Sequence, residues 1–195
     1  MVSKALRVML VDENPERLAK LREQLLLARY TVIAEVGNTI NLHQQVKDLE
    51  PDAIIIGTDS PDRDTLEHLC VLSQDSPRAI VMFTHDGDTE QIRAATRAGV
   101  CAYVVGGMEG NRLRPIMDAA IARFEEAQAV REELAAAHLK LSERKLVDRA
   151  KGVLMKQRGL SEDEAYNLMR KMAMDRNIRL ADLASQVVEA AKLLL

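Results

Sequence analysis

A chain of 195 residues, 47% hydrophobic and 29% charged, has the composition of a soluble globular protein with room for one core-bearing domain and a smaller one. No run of about 18 apolar residues occurs, so a membrane-spanning helix is excluded. Two cysteines, Cys70 and Cys101, are too few for a disulfide framework or a zinc site and fit small apolar roles in a reducing cytoplasm. The net charge of −3 divides unevenly: residues 1–141 carry −6 and residues 142–195 carry +3. An acidic body with a basic tail suggests that the tail meets a polyanion, although a solvated helical face of mixed charge would read the same way.

The N-terminus, MVSKALRVML, is too short and too soon strand-like for a secretory signal. Over the first ~115 residues, strand and helix patterns alternate. Apolar runs at 6–11 (LRVMLV), 31–36 (TVIAEV), 52–57 (DAIIIG), 79–84 (AIVMFT) and 102–105 (AYVV) predict five strands. Amphipathic stretches follow them, beginning near Pro15, Asn38, Asp62, Asp88 and Asn111. Continuous apolar strands separated by helices predict a parallel sheet covered on both faces, with its pocket at the carboxyl ends of the strands.

Residues 112–148 contain no glycine, and Pro115 fits a first helical turn. Apolar or small residues recur at Ile116, Ala120, Ala127, Val130, Leu134, Ala137 and Leu141, a heptad spacing sustained for about four repeats. The pattern predicts a helix running on from the first domain into a weak, parallel, dimeric coiled coil. The alternative is a single long helix that packs its stripe on the C-terminal helices.

The last quarter reads as three short helices. Leu146, Ala150, Val153 and Leu154 form one apolar stripe, stopped at Gly159 after Lys156 and Arg158. Ser161 opens a capping box with Glu164, and Ala165, Leu168, Met169 and Met172 point inward. A turn at Asn177 precedes a third helix marked by Leu180, Leu183, Ala184, Val187 and Val188. So small a unit buries little and leans on its neighbours.

The stretch AKGVLMKQRGLSEDEAYNLMRKMAMDRNIRLADLA, with Ala150, Lys151, Leu154, Met155, Gly159, Ala165, Leu168, Arg170, Ala173, Met174 and Ala184 matching in order, resembles the ANTAR domain, the RNA-binding module of AmiR- and NasR-type antitermination regulators. The resemblance divides the chain into a receiver-like domain (1–115), a coiled-coil linker helix (116–141) and an all-α three-helix ANTAR domain (142–195). It implies binding to paired leader-RNA hairpins. Lys151, Lys156, Arg158 and Arg170 are the expected phosphate or base contacts, with Arg144, Lys145, Lys171, Arg176 and Arg179 behind them. Tyr166, the only aromatic residue there, would stack on a base if exposed, although the SEDEAY context favours the core.

The first domain resembles a response-regulator receiver, a flavodoxin-like five-stranded sheet of order 2-1-3-4-5. Asp12 and Glu13 match the acidic pair that holds Mg²⁺ in that family, a possible remnant here; Thr84 matches the switch hydroxyl, and Tyr103 the aromatic switch. Gly57 stands where the phosphorylated aspartate belongs, and Gly106 where the lysine belongs. Glycine supplies neither a carboxylate nucleophile nor an ammonium. The resemblance therefore implies a pseudo-receiver without a phosphoacceptor. Asp59, two residues along, would need a different backbone position to serve.

SPDRDTLEHL (60–69) is similar to NasT-type regulators of nitrate assimilation. That implies control by a nitrate/nitrite-sensing protein partner, alongside leader RNA and a second copy of the chain. The competing classes are a DNA-binding two-component regulator and an interaction protein without nucleic acid. His43, His68, His85 and His138 are scattered without nucleophile–base or metal spacing, so neither an enzyme nor a cofactor is expected.

Overall fold

The computed structural model describes residues 5–106 and 110–193. Five strands, β1 (Arg7–Val11), β2 (Thr31–Val36), β3 (Ala53–Gly57), β4 (Ala79–Thr84) and β5 (Ala102–Val105), form one all-parallel sheet in the order β2-β1-β3-β4-β5. Between and after them run α1 (Pro15–Leu27), α2 (Leu42–Leu49), α3 (Arg63–Asp75), α4 (Thr89–Arg97), α5 (Gly110–Arg158), α6 (Glu162–Asp175) and α7 (Leu180–Leu193). The strands lie where their apolar runs place them, because side chains on both faces are buried. Val8, Leu10, Ile55, Val81 and Phe83 pack with Leu21 and Leu25 of α1 and Leu113 and Met117 of α5. The alternate residues Met9, Val11, Ile54, Ile80 and Met82 face Leu42 and Val46 of α2, Leu69 and Leu72 of α3 and Ala95 of α4. Two-sided burial with period-2 alternation is what an all-parallel sheet requires.

Three local expectations change. The helix expected near Asn38 starts at Leu42. The Asn38 carboxamide instead accepts from the Ile40 N–H at 3.0 Å, an Asx turn that competes with the helix, and Asn41 takes a left-handed φ of 62°. Pro115 lies in the second turn of α5 rather than the first. It therefore has no N–H to give the carbonyl four residues back. The first of the three C-terminal helices is not short: it is the end of α5, 49 residues long.

The heptad stripe is also shorter than expected. Ala120 is fully buried and Ile116 partly so, both in the core beneath the sheet. Only from Ala127 onward is the stripe exposed, with Val130, Leu134 and Leu141 between 53% and 60% accessible.

Contacts divide the chain into two units at Gln128 and Ala129. In the second, Ala150 and Leu154 of α5 meet Ala165, Met169 and Ala173 of α6 and Leu183 and Ala184 of α7. Gly159 ends α5 in the left-handed region (φ 66°), where a Cβ would be strained. Ser161 then caps α6 by a reciprocal capping box with Glu164. Asn177 supplies the left-handed residue (φ 51°) of the turn into α7. Among the described residues, no helix is long and apolar enough to cross a membrane.

Candidate functional site

The carboxyl ends of β1 and β3 meet at the point where strand order reverses, the place such sheets reserve for ligands. A cavity of about 1040 Å³ opens there. Asp12 is 2% exposed at the end of β1, whereas Glu13 beside it faces solvent. The Asp12 carboxylate is fully engaged. Arg17 Nε donates to Oδ2, Arg17 Nη2 donates to Oδ1 at 2.8 Å, and the Asn14 N–H donates to Oδ1 at 2.8 Å. Arg17 Nη1 reaches on to the exposed Asp59 carboxylate at 2.6 Å. Asp12, and after it Asp59, hold the Arg17 guanidinium protonated well beyond the ordinary arginine range.

Local sequence sets this geometry. Asn14 caps α1 through the N–H groups of Glu16 and Arg17, and Pro15 opens the helix. Arg17 is thereby the third helical residue and hangs back over Asp12. Gly57 lies beneath the pair. A Cβ there would sit 1.9 Å from Asp12 Oδ2 and 3.2 Å from Arg17 Nε, so no side chain fits without moving the ion pair.

Thr84 and Tyr103 are wired to the same loop. Thr84, 3% exposed, donates from Oγ1 to the Asp59 carbonyl at 2.8 Å and accepts from the Asp86 N–H at 3.1 Å. Tyr103, half-buried, donates to the Asp86 carbonyl at 3.0 Å, and burial pushes its phenol up. Gly106 takes φ 84° with nothing near its missing Cβ, and its N–H donates to the Thr84 carbonyl at 3.0 Å.

The residues here do not fit a divalent cation. The one buried carboxylate here already has a guanidinium partner, and Gly57 adds no side-chain oxygen where a hard six-coordinate ion needs several ligands. Among the described residues, no group of three or more His, Cys, Asp or Glu could hold a metal. Of the acidic pair Asp12 and Glu13, Arg17 holds Asp12, while Glu13 faces solvent.

In the C-terminal unit, Lys156, Arg158 and Arg170 are exposed and make no ion pair among the described residues. Tyr166 is 41% exposed rather than in the core, one helical turn before Arg170 on the same face of α6. Met174 is 71% exposed, and Asn167, Lys171 and Met174 are spaced along one further stripe of that helix. Lys151 differs from the other bases. Only 15% of its side chain is exposed, and its ammonium bridges Asp148 at 2.8 Å and Glu162 at 2.7 Å, tying α5 to the start of α6. Arg179 is likewise occupied, by Asp182 and Glu143. Arg144, Lys145, Lys171 and Arg176 are exposed.

Residues 135–188 match the ANTAR domain family model. The transcriptional regulatory protein PdtaR of Mycobacterium tuberculosis is 28% identical over 183 residues, covering 94% of this chain and 89% of that protein. The chain carries an ANTAR domain. A nitrate regulatory protein of Klebsiella oxytoca is 44% identical over 59 residues, 30% of this chain but 15% of that protein. The receiver fold is shared with the signal receiver domain of a modulated diguanylate cyclase from Desulfovibrio desulfuricans (TM-score 0.56, 22% identity, 64% of this chain and 99% of that one). It is shared too with the receiver domain of the response regulator NarL from M. tuberculosis (TM-score 0.54, 16% identity, 60% of this chain and 97% of that one).

In this ANTAR-domain chain, the sequence singles out the acidic pair, Thr84, Tyr103 and both glycines, but not Arg17, which the structure places on Asp12 and Asp59. One signal was available. A base at the third helical position runs against the preference of a helix N-terminus for acids, so it needs a carboxylate partner close by.

Proposed function

We propose that this ANTAR regulator is an RNA-binding antiterminator of a nitrate or nitrite assimilation operon, acting in the cytoplasm on paired hairpins of leader mRNA. The observation that carries this reading is a set of exposed side chains within the matched ANTAR region, Lys156 and Arg158 at the end of α5 and the i,i+4 pair Tyr166 and Arg170 on α6. Unpaired cations neutralise phosphates, and an exposed ring beside an arginine offers a stacking surface for a splayed loop base. Lys151, in the same region, must leave Asp148 or Glu162 before it meets a phosphate. Residues 142–195 form the RNA-binding module in this reading. Residues 1–115 form the receiver, and 116–141 a linker through which two copies pair. Control comes from a nitrate/nitrite-sensing protein rather than from phosphorylation, since Gly57 offers no nucleophile.

A salt titration of binding to a two-hairpin leader RNA, beside a loop-mutated RNA and a duplex DNA, tests the reading. Loop-dependent RNA binding that weakens as salt rises is expected. Equal weak binding to all three would leave only a basic surface. Co-purification with the sensing partner should depend on nitrate, and a complex indifferent to nitrate would remove that part.

A further inference from the structure

The Arg17 guanidinium touches two carboxylates at once, the buried Asp12 and the exposed Asp59. Asp59 is in turn the hub of a hydrogen-bonded seam. Its carbonyl accepts from the Thr84 hydroxyl at 2.8 Å and from the His85 N–H at 3.2 Å. Thr84 Oγ1 accepts from the Asp86 N–H, and the Asp86 carboxylate accepts from the Ser60 hydroxyl at 2.6 Å. The Asp86 carbonyl holds the Tyr103 hydroxyl. A continuous set of partners thus runs from α1 through the β3–α3 and β4–α4 loops to β5. Gly57 is the gap that lets it close, because any Cβ there would strike the Asp12 carboxylate.

We propose that Arg17 is the resident cation of this pocket: it occupies the place a divalent metal would need and, through Asp59, holds Thr84 and Tyr103 in one arrangement that neither Mg²⁺ nor an acyl phosphate sets. A metal ion approaching Asp12 meets a fixed positive charge already bonded to both carboxylates, so entry requires breaking the pair against like-charge repulsion. The guanidinium is permanently charged, planar and bidentate, and a lysine could not span both partners in the same way. The inference rests on the receiver fold and stands apart from the RNA reading, so loss of one leaves the other intact.

The full chain serves for the test. Its three tyrosines, Tyr30, Tyr103 and Tyr166, give a sparse ring spectrum in which Tyr103→Phe assigns the reporter. In the wild type, the thermal midpoint should be the same in MgCl₂ as in NaCl of equal ionic strength, and Mn²⁺ should leave the Tyr103 signal sharp. Arg17→Met should gain a midpoint that rises with Mg²⁺ by mass action, with Mn²⁺ now broadening Tyr103. Should Arg17→Met fail to fold, Asp59→Asn decides. It cuts only the exposed arm and should shift Tyr103 while Tyr30 and Tyr166 stay in place. A wild-type midpoint that rises with Mg²⁺ would overturn the proposal. So would a folded Arg17→Met chain with no metal response, or a Tyr103 signal unmoved by Asp59→Asn.

Discussion

The Cβ that Gly57 lacks would fall on the Asp12 carboxylate, so every other residue type at this position must displace a buried ion pair. Arg17→Met leaves Asp12, with no exposed side-chain surface, charged and unpaired. That should lower unfolding free energy by about 3 kcal/mol in urea titration, toward the low end for a broken buried pair because the arginine is partly solvated. Gly57→Asp adds a third carboxylate to the same space. It should cost about 2 kcal/mol or more by the same measurement, since the newcomer must push Asp12 from its partner. It should also gain no phosphoryl group from acetyl phosphate and Mg²⁺, by intact mass, because Gly106 still supplies no ammonium. Gly57, Gly106, Thr84 and Tyr103 stand out in the sequence through the resemblance to a receiver, whose pattern assigns a residue to each strand end. The partnership of Arg17 with Asp12 and Asp59 was not. It joins residues five and 42 apart across a fold, a relation that leaves no periodicity.

The central strands β1, β3 and β4 are legible for the reason that they are stable: both faces are buried, so each is a nearly uninterrupted apolar run between polar turns. The start of α2 was misplaced because Asn38 has two local uses, helix cap or Asx turn, and only the chain's path selects between them. The heptad reading of α5 overreached for a related reason. A stripe of spacing 3 and 4 looks the same whether it covers a sheet, as Ala120 does, or faces solvent, as Leu134 does. If the exposed part pairs two copies, Leu134→Asn should shift the chain from dimer to monomer in concentration-dependent light scattering. No change in mass would remove the seam. The capping box of α6 supports the small helical core directly. Ser161→Ala should cost about 1 kcal/mol in thermal or urea unfolding of the C-terminal unit. The Ser161 N–H, and after it the Ser161 hydroxyl, hold the Glu164 carboxyl below its ordinary value. A carboxyl depressed in the folded state stabilises above its unfolded pKa and loses that contribution as pH falls through the folded value. The Ser161→Ala defect should therefore shrink in acid.

Over the whole chain, charge divides unevenly, with the acidic residues 1–141 ahead of a basic C-terminal stretch. Under the proposed RNA reading, such a division would keep the body from competing for phosphate and leave the tail's exposed cations for the polyanion. Arg170→Ala and Tyr166→Ala should each weaken loop-dependent hairpin binding, the tyrosine by about 1–3 kcal/mol if its ring stacks on a base. Only the arginine change should reduce the salt slope, by about one. Lys151→Ala should show its defect first in the stability of the helical unit, because its ammonium is already shared by Asp148 and Glu162.

The Asp12–Arg17 pair over Gly57 has a bearing on how such a chain can change over generations. Acquiring a receiver-type phosphorylation site would need an aspartate at 57, a different residue at 17 and a lysine at 106. Either of the first two steps taken alone strands a buried carboxylate. The intermediate sequences lie in a valley of low stability, so new control is more readily acquired on outer surfaces, where substitutions are nearly neutral.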